Sequence, residues 1–90
     1  MSEATTRVLV IDDEPAICEL VEAVAESIGF SVRSASTAEQ IENELNGRFD
    51  LVVLDLSLGD LDGIEVMGRL GASHRGLPVI LVSGADESLI

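Results

Sequence analysis

Lysine, tryptophan and tyrosine are absent from this chain, and there is a single cysteine. One cysteine, Cys18, excludes an internal disulfide and fits a reducing compartment. With only two phenylalanines among the aromatics, the core has to be built from Val, Ile, Leu and Ala. Positive charge is also scarce: five arginines stand against seventeen acidic residues, for a formal net charge of -12. A surface of that sign repels the phosphates of nucleic acid and of anionic lipid, so we expect no direct nucleic-acid partner. The N-terminal MSEATTR lacks the basic-then-apolar layout of a signal peptide, and no apolar run reaches membrane-spanning length. These absences predict a cytoplasmic protein with no membrane contact. Ninety residues make one domain, 1–90, with residues 1–6 as a flexible N-terminus. A chain of that size buries roughly 60–65% of its unfolded surface.

Four short apolar runs are present, separated by three helical patterns. VLVI (8–11) has no polar alternation and reads as a strand covered on both faces. In EPAICELVEAVAESIG, Ile17, Leu20, Val21, Val24 and Ile28 recur at helical spacing and are expected to form the packing face, with Cys18 beside them as a packing residue. Pro15 suits the first turn of that helix and Gly29 its C-terminal cap. FSVRSA (30–35) is a second, weaker strand. Ser36 followed by Glu39 fits a capping box, opening a helix that runs to about Asn46 and is stopped by Gly47. FDLVVLDL (49–56) is a third strand, SLGDLDG a loop, and GIEVMGRLGAS a helix with Ile64, Met67 and Leu70 as its apolar stripe. LPVILVSGA (77–85) is the fourth strand. The alternation predicts an α/β fold, an open parallel sheet of four strands with helices on both faces. His74, in SHRG, reads as a solvated loop residue.

In such sheets ligands bind beyond the carboxyl ends of the strands, where strand order reverses. Asp12 and Asp13 end the first strand, Asp55 the third, and Ser83 the fourth, so all four point to one rim. Three converging carboxylates repel one another and call for a cation or protons. With oxygen donors alone on offer, the cation of choice is Mg²⁺ rather than Zn²⁺. Mg²⁺ commonly shares its coordination with phosphate oxygens, which points to phosphoryl chemistry: Asp55 as the nucleophile and Ser83 donating its hydroxyl to a phosphoryl oxygen. Glu14 is expected to complement the dipole at the start of the first helix.

VLVIDDEP, LVVLDLSLGDLDGIEV and LPVILVSG, in that order and at that spacing, resemble the receiver domain of bacterial two-component response regulators. The resemblance implies a flavodoxin-like fold and a phosphorelay function, with Asp55 accepting a phosphoryl group from a histidine kinase or a histidine phosphotransfer protein. It implies that Asp13 binds Mg²⁺ directly, that Asp55 is also among the metal ligands, that Asp12 acts through water, and that the Ser57 backbone carbonyl supplies a further contact. Ser83 would be the switch hydroxyl, and Gly63 the glycine of the turn after the third strand. Such a module is a phosphorylation substrate with slow self-phosphatase activity rather than a turnover enzyme.

Two departures qualify the resemblance. Gly59 stands where a proline is common. The chain stops at Ile90, where the family's fourth helix would begin, so the last helix-strand-helix and the lysine that pairs with the phosphoryl group have no counterpart here. We therefore expect a receiver truncated after its fourth strand, with an output domain beyond residue 90, or self-association through the bare apolar edge of that strand. The alternative is a pseudo-receiver acting as an interaction module without phosphorylation. A phosphatase with a strand-end aspartate would need a second Asp at position 57, which is Ser57. A nucleotide-binding domain would need a glycine-rich loop where DDEPA stands.

Overall fold

The structure, a computed structural model, describes residues 5–58 and 61–82. Along them the chain runs β1 (Arg7–Ile11), α1 (Pro15–Ser27), β2 (Ser31–Ala35), α2 (Ala38–Glu44), β3 (Leu51–Asp55), β4 (Ser57–Leu58), β5 (Leu61–Asp62), α3 (Gly63–Ser73) and β6 (Val79–Val82). The four longer strands form one parallel sheet in the order β2-β1-β3-β6. The chain first builds from β1 towards β2, then returns to the other side of β1, so strand order reverses between β1 and β3. The expected α/β fold is the observed one.

The continuous apolar run in β1 reflects burial on both faces. Leu9 and Ile11 join Val52 and Leu54 of β3, Ile41 and Leu45 at α2, and Val66 and Leu70 of α3 in one buried cluster. Val8 and Val10 are buried on the opposite face, which α1 covers. Each such aliphatic side chain contributes about 1.5–3 kcal/mol by leaving water.

The packing face of α1 differs from the expected one. Cys18 and Ala25 are its buried residues, whereas Ile17, Leu20, Val24 and Ile28 are exposed, Leu20 at 60% and Ile28 at 63%. At about 100° per residue the two sets are centred roughly a quarter turn apart. The helix lies against the sheet through its small side chains, which permit a close approach, and the larger ones are carried sideways. In α3 the buried residues are Gly63, Val66 and Leu70, with Met67 partly buried and Ile64 65% exposed. The expected stripe is therefore corrected by one position at its start, and the cause is Gly63. A Cβ there would lie 2.9 Å from both the Cα and the carbonyl oxygen of Leu56, so this edge of the helix is pressed against the chain leaving β3.

The ends of the helices follow local chemistry. Gly29, at φ +92°, closes α1: its N–H donates to the Glu26 carbonyl at 3.0 Å and the Phe30 N–H to the Ala25 carbonyl at 3.0 Å, the double bond pattern of a Schellman cap. The cap of α2 is Thr37 rather than Ser36. Thr37 Oγ1 accepts from the Gln40 N–H at 3.1 Å, and Gln40 Oε1 accepts from the Ser36 N–H at 2.8 Å. Thr37 and Gln40 make the same S/T-x-x-E/Q pattern one residue later, and the structure selects that one. Segment 57–63, expected as a loop, contains a small antiparallel ladder between β4 and β5. At the sheet edge formed by β6, Ile80, Leu81 and Val82 are 50%, 47% and 38% exposed, in line with the expected apolar edge.

Candidate functional site

The rim beyond the carboxyl ends of β1 and β3 gathers the acidic residues. Ile11 pairs with Leu54, so extending the register by one residue sets Asp12 beside Asp55. The Asp12 N–H donates to the Ala35 carbonyl at 3.1 Å, continuing the β1–β2 ladder and fixing the backbone at this point. Asp12 Oδ1 accepts the Glu14 N–H at 2.9 Å, an Asx turn that redirects the chain into α1. Glu14 is the helix cap by position and contributes its carbonyl, which accepts from the N–H groups of Ile17 and Cys18. Its carboxylate makes no capping bond. Pro15 then starts the helix, as expected.

Asp12, Asp13 and Asp55 each offer a carboxylate oxygen, and these oxygens lie within 4.8 Å of one another. Asp12 and Asp55 are buried, at 5% and 7% exposure, while Asp13 is open to solvent. At an effective dielectric of 20, two full charges 4.8 Å apart repel by about 3.5 kcal/mol. A small domain has only about 5–10 kcal/mol of stability in total. The consequence falls on Asp12: burial first, and then the negative charges of Asp55, Asp13 and Glu14, push its carboxyl above the ordinary value, against the opposing pull of the Glu14 N–H. An all-oxygen set that is buried on one side and open on the other fits a hard divalent cation that keeps part of its water, the habit of Mg²⁺.

Asp12, Asp13 and Asp55 thus come together as the sequence predicts. Ser57 opens β4, two residues beyond Asp55, with its backbone paired to Asp62. Ser83 lies outside the described residues, as do Gly59 and Asp60. The link between Cys18 and this rim is not legible from sequence. The Cys18 thiol donates to the Asp12 carbonyl at 3.5 Å, and burial together with the Asp12 charge raises its pKa, which keeps it a neutral thiol. His74, expected in solvent, is partly buried with Nε2 at 2.7 Å from the Gly47 carbonyl; it lies at the opposite end of the sheet.

A doubly wound parallel sheet with an acidic pocket at its switch point defines a flavodoxin-like α/β domain. Comparison with known proteins narrows it: the family model for the response regulator receiver domain matches residues 8–89, and the chain belongs to that family. It is 33% identical over 82 residues to the cell cycle transcriptional regulator CtrA of Caulobacter vibrioides, covering 90% of this chain and 36% of that protein. The CheY-like receiver domain protein from Methanospirillum hungatei superposes with a TM-score of 0.85 at 27% identity, over 92% of this chain and 67% of the other. A response regulator from Burkholderia pseudomallei, whose structure carries a phosphorylated aspartic acid, a calcium ion and citrate, shares the fold at a TM-score of 0.83 and 22% identity, over 90% of this chain and 48% of the other. The chain spans about a third of the length of the first curated relatives it matches. Among the described residues no helix is long and apolar enough to cross a membrane.

Proposed function

We propose that this receiver domain is the phosphoacceptor of a two-component phosphorelay, taking a phosphoryl group onto Asp55 from a histidine kinase or histidine phosphotransfer protein and relaying it to an output. The observation that carries this reading is the convergence of three carboxylates at the switch point, with Asp55 on a central strand. In the transfer, an Asp55 oxygen attacks phosphorus as the phosphorus–nitrogen bond of phosphohistidine breaks, and the imidazole leaves with a proton from solvent. Mg²⁺, when bound, neutralises charge on the transferring group. Asp13, exposed on the rim, and Asp55 would hold the ion directly, Asp12 would act through water, and the Ser57 carbonyl would supply a further contact. Burial of Asp55 limits the access of water to the acyl phosphate, which suits a phosphorylation substrate that dephosphorylates slowly rather than a turnover enzyme. Incubation with acetyl phosphate and Mg²⁺, followed by intact mass spectrometry, tests the assignment. A single phosphoryl adduct is expected on the native chain and none on Asp55→Asn. Labelling that survives this substitution places the acceptor elsewhere.

A further inference from the structure

At the rim opposite Asp55, the amino ends of β1 and β3 and the turn between α3 and β6 enclose a cavity of about 640 Å³. Its lining includes His74 and, in a chain with net charge -12, three of the five arginines, Arg7, Arg48 and Arg75. Among the described residues Asp50 is the single carboxylate in the lining, and its Oδ2 accepts from the Arg7 backbone N–H at 2.8 Å. The other two arginines are spent in ion pairs, Arg33 with Glu44 and Arg69 with Glu42. Among the described residues none of Arg7, Arg48 and Arg75 forms such a pair, although carboxylates are abundant. Three arginines lining one cavity against a single carboxylate suit an anion receptor, because the planar guanidinium fork matches the oxygens of phosphate and carboxylate.

The surroundings hold this arrangement in place. The Arg7 guanidinium lies over the Phe49 ring, 5.9 Å from its centroid, which supplies a flat apolar wall. His74 Nε2 is hydrogen-bonded to the Gly47 carbonyl at 2.7 Å and ties the end of α3 to the loop that carries Arg48. His74 Nδ1 is a buried polar atom with no hydrogen-bond partner among the described residues. Gly76, at φ +77°, makes the turn that brings Arg75 to the same mouth. The volume falls within the range of small-molecule sites and exceeds what a bare oxyanion fills.

We infer that the arginine-lined cavity at the amino ends of β1 and β3 is a binding site for a dianionic phosphate group, free or carried on a small organic ester. The test uses the 90-residue chain in EDTA at low ionic strength, titrated with inorganic phosphate or with AMP and followed by amide NMR. Saturable shifts centred on Arg48, Phe49, Asp50 and Gly76 are expected, and the Arg48→Gln/Arg75→Gln double variant should weaken binding about tenfold or more. Tighter binding of AMP than of inorganic phosphate assigns the site to an organic ester, and equal binding to the free anion. Non-saturable shifts, shifts centred on Asp12 and Asp55, or an equal loss of affinity in an Arg33→Gln control would overturn the inference.

Discussion

Replacing Asp12 by Asn should make the metal-free domain more stable and abolish the benefit it draws from Mg²⁺. Asn keeps an oxygen where Asp12 Oδ1 accepts the Glu14 N–H, so the turn into α1 survives and the change is almost purely one of charge. The buried partner Asp55 repels Asp12 by about 3.5 kcal/mol or more at an effective dielectric of 20, because their oxygens lie within 4.8 Å of each other. The solvent-exposed Asp13 adds no more than about 1 kcal/mol after screening. Against this, a neutral acceptor holds the Glu14 N–H less strongly than a charged one, by about 1 kcal/mol. Wild type also escapes part of the repulsion by drawing in counterions and protons, which leaves a net gain of about 1–2 kcal/mol for Asp12→Asn, or about 5–15 °C in Tm for a domain of this size. The pH dependence is fixed by the raised pKa of Asp12: the neutral form is the one the fold favours, so wild type carries no penalty below the unfolded value of 3.8 and loses stability as pH rises through the higher folded value. The advantage of Asp12→Asn should therefore be full at neutral pH and vanish on acidification towards that lower value. Saturating Mg²⁺ reverses the order, adding about 2.7 kcal/mol to wild type at a hundredfold excess over Kd and little to the variant. Thermal melts followed by circular dichroism suit a chain without tryptophan or tyrosine. A variant less stable than wild type in EDTA at neutral pH, or a difference that does not narrow in acid, would refute the reasoning.

Gly63→Ala should cost about 1–2 kcal/mol in urea unfolding, because the strain of a Cβ 2.9 Å from the Leu56 backbone outweighs the gain in helix propensity. The displaced backbone follows directly on Asp55, so the same variant should also bind Mg²⁺ more weakly; unchanged stability would show that the contact relaxes freely. Leu70→Ala, at a fully buried position, should lose about 2–5 kcal/mol, whereas Leu20→Ala on the open side of α1 should stay within about 0.5 kcal/mol of wild type. Equal losses in the two would return the packing face of α1 to the stripe expected from periodicity.

The order of elements and the acidic rim were legible because each rests on a local signal. Apolar runs without alternation mark strands buried on both faces, Pro15 and Gly29 mark the ends of a helix, and strand-end aspartates fall on one rim in any parallel sheet. Helix rotation was not legible in the same way. In α3 the sets Ile64, Met67, Leu70 and Gly63, Val66, Leu70 both fit helical spacing, and the contact of Gly63 with Leu56 across the chain decides between them. In α1 large apolar side chains outnumber those the sheet can receive, and the fit of Cys18 and Ala25 against it sets the face. The cap of α2 was ambiguous for a simpler reason: two overlapping capping patterns, one residue apart, are both present. The arginine cavity left no trace, since its cations come from three separated segments and none of those segments is basic by itself.

The two rims lie at opposite ends of β3, with Asp50 just before the strand and Asp55 at its end. Five residues of extended chain separate them by about 17 Å, roughly two Debye lengths in physiological salt. Charge at one rim is therefore largely screened from the other, and an anion held by Arg48 and Arg75 cannot act on Asp55 by electrostatics alone. Any influence between them has to pass mechanically along β3, whose first turn-side hydrogen bonds tie Asp50 to Arg7 and whose last residue pairs with Val82. A phosphate that stabilises the chain equally in wild type and in Asp12→Asn would therefore identify the arginine rim as a separate site, because a ligand acting at the acidic rim could not be indifferent to the loss of one of its three charges.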